Sequence, residues 1–418
     1  MEMSKRFIKL EKATLHPPAL WRHPKDDADA AAGIPWVLLD LEAYVADHRN
    51  ATTAYSRSES GKEVQVTFFL ARPPRVSYFC VFCPGRDHTE FPIEPKVIAM
   101  DGNLVLLCIV VSPEKELVRD REYYVYQANG AEDGGPSLER LPRPPGSRCY
   151  FDYDQVGLLR CSDAAAAAAG GGGSSVLPRR PDRVKKDDFI VAALCGIDEP
   201  AVAVDQIRLQ AWSIKIVTLD QRQLQKQPGK VEYFLHFNSK VITIGGEAGT
   251  MGFVDLWRGI LLCDVLTGNP NLSYVPLPKP KLQADRLRDE EAGLYRDIAI
   301  IEDWRLEFEV GSDDICVDKN PHFELLPRVK DNEGRPLPPF KRLDICHPVL
   351  SLSDDDDGTV YLMNKIFPED DKAWVSAVNM RTKELLGVAR FAAERTQVVT
   401  FAYAHSRISK YLTGGGRI

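Results

Sequence analysis

The sequence predicts a mostly β chain, β-propeller-like with six or seven blades and interrupted by one disordered insert. Three observations carry that expectation. A turn–strand–strand phrase recurs, and its strongest copy runs from Val254 through Trp257, Arg258 and Gly259 to Leu266, followed by Leu272 to Leu277. Matching positions at Cys108, Cys161, Trp212, Cys263, Cys316 and Met363 lie about 53, 51, 51, 53 and 47 residues apart, close to the roughly 50-residue period of kelch-type blades. Each unit is also too small to bury both faces of its own sheet, whereas blades around an axis cover one another. A pair of β-sandwiches or an irregular all-β fold is the alternative.

The elements follow in order. Residues 1–33 hold Pro17-Pro18, the charged run Lys25-Asp26-Asp27 and an alanine run, and are expected to form a mobile N-terminal segment. A single domain is expected over residues 34–412. Trp36 to Ala46 has a mixed pattern, while Val64 to Ala71 and Arg75 to Cys83 read as strands, the second closed by Pro84-Gly85. Asp101-Gly102 opens a strand that reaches Cys108, with Tyr123 to Gln127 as its partner. Residues 163–186 carry six alanines, then four glycines, and read as a disordered low-complexity loop, because so short an alanine run cannot nucleate an isolated helix.

Further on, Arg258-Gly259 supplies a tight reversal into a buried strand, and Pro278 ends the next strand because it has no ladder donor. The alternating charges of Lys281 to Asp297 suit a short exposed helix or a loop. Asp357-Gly358 turns into Thr359 to Met363, followed by Trp374 to Asn379 and Leu385 to Ala389. Residues 413–418, with Gly414 to Gly416, read as a disordered tail.

Composition excludes some functions. A formal net charge of -7 argues against general binding to nucleic-acid phosphates. No apolar run approaches the roughly 18 residues of a membrane helix, and Met1 to Leu15 lacks the continuous apolar core of a secretory signal. The nine cysteines are odd in number and sit mostly in apolar strand runs, as buried free thiols of a reducing compartment do. A cytoplasmic or nuclear location is therefore expected.

Local chemistry is sparse. Cys80-Val81-Phe82-Cys83 has zinc-like spacing but no second pair, and residues three apart on a strand face opposite ways, so core packing is the favoured reading. Asp354 to Asp357 followed by Gly358 resembles the opening of a calcium loop, yet the register puts Asn364 where a bidentate glutamate is needed, leaving an acidic hairpin tip. Gly245 to Gly252 lacks the helix and the Gly-Lys-Ser/Thr of a phosphate cradle and reads as a flexible blade-edge loop. Pro178 to Lys186 is basic and sits beside the low-complexity run, as solvated loop charge or an import signal. The eight histidines form no zinc-protease motif, and no nucleophile elbow is present. Metal and cofactor are expected to be none.

Trp36-Val37-Leu38-Leu39-Asp40, Asn50 to Ala54, Val76 to Cys80, Pro136 to Pro142 and the Val254 to Leu266 phrase together resemble the plant domain-of-unknown-function family 1618, over roughly residues 34 to 412. Its repeats are similar to the propeller-like regions that follow F-boxes, although residues 1–33 are too short and too polar for an F-box. The resemblance implies no catalytic residues. The sequence therefore favours a non-enzymatic interaction module that presents propeller-face loops to a protein or peptide partner, with Trp257 and Arg258 as interaction-face candidates because these residue types are enriched at hot spots. The alternative is a hydrolase with an axial pocket acting on a glycan or ester.

Overall fold

Strands account for nearly all regular structure in the computed structural model, which describes residues 10–18, 33–111, 121–130, 134–143, 153–160, 189–196, 202–208, 211–217, 236–246, 248–267, 270–278, 291–300, 310–317, 323–352, 358–395 and 401–412. The first group of strands comprises β1 (Val37–Asp40), β2 (Tyr44–Val45), β3 (Ala54–Arg57), β4 (Glu63–Phe69) and β5 (Val76–Phe82). Then come β6 (Lys96–Asp101), β7 (Leu104–Val110), β8 (Arg121–Gln127) and β9 (Ser137–Arg140). The third group is β10 (Val156–Arg160), β11 (Phe189–Gly196), β12 (Val202–Arg208) and β13 (Ala211–Val217). The fourth is β14 (Lys240–Gly245), β15 (Thr250–Asp255), β16 (Gly259–Asp264) and β17 (Leu272–Pro276). The last is β18 (Asp344–Leu350), β19 (Thr359–Lys365), β20 (Lys372–Asn379) and β21 (Glu384–Ala392), followed by β22 (Tyr403–Ser406).

Among the described residues these strands make five sheets, four of them four-stranded and ordered as the chain runs: β6 to β9, β10 to β13, β14 to β17 and β18 to β21. Such meanders are the units from which propeller blades are built. The chain is thus mostly β and propeller-like in its sheets.

The chain divides into two compact units, one of Met1–Val97, Cys108–Arg140 and Glu290–Ile418, the other of Ile98–Leu107 and Leu141–Asp289. In the first unit the remaining sheet has the order β22-β1-β5-β4-β3, with β2 also on β5. Strand β1 pairs antiparallel with β22, Leu38 opposite His405, and parallel with β5, Leu38 opposite Val76. The first and last strands among the described residues are therefore neighbours, and β1 is buried along its whole length. Trp36 stacks on His405 with ring centroids 4.8 Å apart and meets Tyr361 edge-on at 5.3 Å. Leu38 and Tyr403 share one core with Tyr361, Met363 and Val375 of the β18 to β21 sheet.

A buried ion pair reinforces that junction. Arg395, three residues past β21, pairs through Nη2 with Asp40 at the end of β1. Its Nη1 donates to the carbonyls of Glu42 at 3.1 Å and Ala43 at 2.8 Å. The guanidinium also sits 3.6 Å from the Tyr44 ring centroid. Burial pushes the Asp40 carboxyl up to about 6, against the pull of Arg395.

In the second unit, Leu159 and Ile190 pack with Met251, Phe253, Leu261 and Cys263, so the β10 to β13 and β14 to β17 sheets share a core. The approach is close because Gly157 has no side chain: a Cβ there would lie 2.7 Å from the Met251 sulfur and 2.8 Å from Val241. Thr243 Oγ1 donates to the Leu158 carbonyl at 2.7 Å across the same gap.

Several expectations change. The near-constant period does not describe the sheets, because the chosen positions are not equivalent. Cys108 lies on the second strand of its sheet, Trp212 on the fourth, Cys263 on the third and Met363 on the second. Cys316 lies on no named strand and makes a single parallel bridge to Glu384 at the start of β21. Strand cores that are buried on both faces look alike whichever strand they occupy, so an apolar anchor carries no strand number.

Within the lead-in read as mobile, Lys12–Leu15 form a 3-10 turn; Leu10 before it and Thr14 within it are buried, and Thr14 Oγ1 donates to Glu94 at 3.0 Å. Gly245 to Gly252 spans the β14–β15 hairpin, Gly245 ending β14 and Thr250 to Gly252 opening β15. Gly245 and Gly246 take φ of 81° and 77°, and Leu266 N donates to Ala248 O at 3.1 Å. Of Lys281 to Asp297, the described part holds a 3-10 turn at Ala292–Leu294, with Ala292 buried. The low-complexity loop, the basic Pro178 to Lys186 segment, Asp354 to Asp357 and residues 413–418 lie outside the described residues.

Candidate interaction site on the Asp255 hairpin

Strands β15 and β16 pair from Thr250 opposite Asp264 to Asp255 opposite Gly259, so residues 256–258 make the connection. The sequence put the reversal at Arg258-Gly259; in the structure Gly259 already belongs to β16, and Asp255 forms the turn. One carboxylate oxygen, Oδ1, accepts from the amides of Trp257 at 3.0 Å and Arg258 at 3.1 Å. The other, Oδ2, accepts from the Phe237 amide and from Arg258 Nη1, both at 2.9 Å. An aspartate that bonds amides two and three residues ahead replaces the hydrogen bonds a short loop cannot make internally. With the residue 1% exposed, its charge is met by three backbone amides and one guanidinium.

Gly259 is required for a second reason. A Cβ there would fall 2.4 Å from the Tyr274 hydroxyl, so the Tyr274 ring occupies the space where a side chain would be. From that position Tyr274 donates its hydroxyl to the Arg258 carbonyl at 2.8 Å, and the Leu277 amide donates to the same oxygen at 3.0 Å. The backbone of Arg258 is thus gripped from β17 as well as from Asp255.

This local knot fixes what the hairpin displays. Trp257 and Arg258 are half-buried, and the Arg258 guanidinium lies 5.1 Å from the centroid of the Phe237 ring. Phe237 itself is 63% exposed, although its amide is held by Asp255. Beside it, the His236 ring bonds Asn238 at 2.8 Å, and burial, the largest influence, lowers the His236 pKa from its ordinary value. The structure therefore brings both sequence candidates, Trp257 and Arg258, together with an aromatic that sequence reasoning missed. Asp255 could have been found, since Asp two residues before a Trp-Arg-Gly reversal is a turn signal; nothing in the sequence ties Phe237 to a turn eighteen residues later.

The remaining candidates lie in the interior. Cys80 and Cys83 are both buried, and burial pushes each thiol up to about 12. Cys263 is buried in the core behind the hairpin. Among the described residues no group of three or more His, Cys, Asp or Glu is placed to hold a metal ion, and no helix is long and apolar enough to cross a membrane.

No curated protein matches the chain. The profile of the family described as Protein of unknown function (DUF1618) matches residues 253–308, the stretch that contains the Asp255 turn, β16 and β17, and this match supports assigning the chain to the DUF1618 family.

Proposed function

We propose that the chain is a non-enzymatic interaction module, in which one propeller-like domain over residues 34–412 presents loops to a protein or peptide partner, and that the Asp255 hairpin is one such loop. The observation that carries this reading is the buried Asp255 carboxylate, which holds the amides of Trp257, Arg258 and the exposed Phe237 together with the Arg258 guanidinium. Aromatic and arginine side chains whose positions are set before binding lose little entropy on association, as binding hot spots require. Six or seven blades belong to this proposal; the described residues hold five sheets. A cytoplasmic or nuclear setting fits the buried free thiols.

The test uses the full chain as bait in native tissue beside a Phe237→Ala, Trp257→Ala double variant of unchanged melting temperature. A stoichiometric protein partner is expected with the natural chain and lost with the variant. Partners retained equally by both would remove this hairpin from the interaction. Turnover of p-nitrophenyl butyrate or a p-nitrophenyl glycoside by the purified chain, with no such partner, would favour the hydrolase instead.

A further inference from the structure

Arg258 is held from several directions, and part of its hydrogen-bonding capacity is left over. Its Nη1 is tied to Asp255 at 2.9 Å, its guanidinium stacks over Phe237 at 5.1 Å, and its carbonyl accepts from Tyr274 and Leu277. Its side chain is nevertheless 33% exposed, and among the described residues Asp255 is the one side chain that accepts a hydrogen bond from its guanidinium. Guanidinium has five N–H donors in a rigid plane that matches the two oxygens of a carboxylate. Here that plane is already oriented, so a second acceptor can be bound without ordering a long side chain again.

The surroundings select the kind of acceptor. Asp255 is buried and takes its hydrogen bonds from three amides and Arg258 Nη1, so the N–H groups left for another acceptor are those of the half-buried Arg258 guanidinium. Arg258 is the cationic side chain at the tip, and burial disfavours a charge on the nearby His236. One guanidinium suits a single carboxylate better than a nucleic-acid backbone, for which the acidic chain as a whole is unfavourable. Next to that donor edge lies the exposed Phe237 ring, an apolar surface that a carboxylate alone would leave wet.

We propose that this hairpin reads a peptide carboxylate, from Asp, Glu or a chain terminus, carried next to an aromatic or aliphatic side chain. The carboxylate accepts from Arg258, and the apolar side chain covers Phe237 alongside Trp257. This rests on the interaction-module reading and narrows its partner to an acidic segment with an apolar neighbour.

The experiment is selection of phage-displayed random heptapeptides on the full-length chain, in parallel with Arg258→Gln and with Phe237→Ala, each first shown to melt with the natural chain. Enriched peptides should pair Asp or Glu with an adjacent aromatic or aliphatic residue. A synthetic peptide of the selected sequence should bind about 10- to 100-fold more weakly to Arg258→Gln, the scale of one lost charge-assisted hydrogen bond, and more weakly still when its carboxylate is replaced by the amide. If Arg258→Gln does not fold, Phe237→Ala carries the test, because an exposed ring can be removed without opening the core; it should lose the preference for the apolar neighbour. Peptides enriched without a carboxylate, or bound equally by the variants, overturn the proposal while leaving the module reading intact. No enrichment on the natural chain overturns it too, and the partner-capture experiment then decides the module reading separately.

Discussion

Asp255 and Asp40 are both buried aspartates paired with an arginine, yet they join the chain over very different distances. Asp255 holds Arg258, three residues away, and shapes one hairpin. Asp40 holds Arg395, 355 residues away, and fastens the start of the chain to its end. In the first pair the arginine is one-third exposed; in the second both partners are buried, and the guanidinium also donates to two carbonyls and lies against an aromatic ring. A half-exposed arginine whose partner is local can serve a surface. A fully enclosed one can only serve the fold, because it is out of reach of any ligand and costly to leave unpaired.

The largest effect should come from breaking the long-range pair. Arg395→Ala strands a buried carboxyl and two carbonyls, and is expected to lower unfolding free energy by about 3–5 kcal/mol in urea denaturation. Asp40→Asn, which keeps an acceptor but leaves the buried Arg395 charge without its counter-ion, should also destabilise, by somewhat less because burial already disfavours the Asp40 charge. A loss under about 1 kcal/mol for Arg395→Ala would show that the pair does not fasten the junction.

Removing the local carboxylate comes next. Asp255→Ala deletes the acceptor of three amides and a guanidinium and should cost about 2–3 kcal/mol, the range for losing hydrogen bonds to a buried charge. Its signature should be local: amides of β14 to β17 and of residues 256–258 should exchange faster, while those of β1 and β22 keep their protection. Equal loss of protection in β1 and β22 would erase the distinction between the two pairs.

Acid should also act on the junction. His347, 3% exposed in the bulge of β18, and His405 on β22 are both held at about 4, chiefly by burial, with Lys365 beside the first and Arg407 and Lys410 beside the second. Unfolded, both return towards 6.5, so the unfolded chain takes up more protons as pH falls, and the stability that is complete above 6.5 is lost on the way down to 4. Asp40 opposes this. Its pKa is raised from 3.8 to about 6, so its contribution is present below 3.8 and lost as pH rises through 6. Two imidazoles outweigh one carboxyl, and unfolding free energy should drop by about 2 kcal/mol between pH 7 and pH 5. A His347→Gln, His405→Gln chain should not show that drop; the same drop in the double variant would place the acid sensitivity elsewhere.

The smallest expected change sharpens the account of the hairpin. Gly259→Ala must push Tyr274 away from the Arg258 carbonyl and should cost about 1–2 kcal/mol, the lower range for overpacking. Binding at the hairpin should weaken by more than the melting temperature alone suggests, since the Arg258 backbone loses one of its two acceptor contacts. An unchanged melt with unchanged binding would show that the Tyr274 bond does not position Arg258.

Legibility in the sequence divides along the same line as the two ion pairs. The strand cores of β4, β5, β8, β16, β19, β20 and β21 were readable because their apolar runs need no distant partner to be recognised. Trp257 and Arg258 were readable as a turn tip for the same reason. Strand β18 was not, since His347-Pro348 and its bulge break the apolar pattern, and four-residue β22 was too short to stand out.

By itself the sequence determined strand composition, the local hairpin at 255–259 and the burial of most cysteines, all of which follow from side chains close together along the chain. Only the tertiary structure decided that β22 lies beside β1, that Arg395 meets Asp40, that Phe237 joins Arg258, and that the apolar anchors occupy different strands of their sheets. Those outcomes depend on which buried surfaces meet across long loops, and pairing of that kind is set by packing and charge between distant segments, for which the spacing of residues along the chain carries no signal.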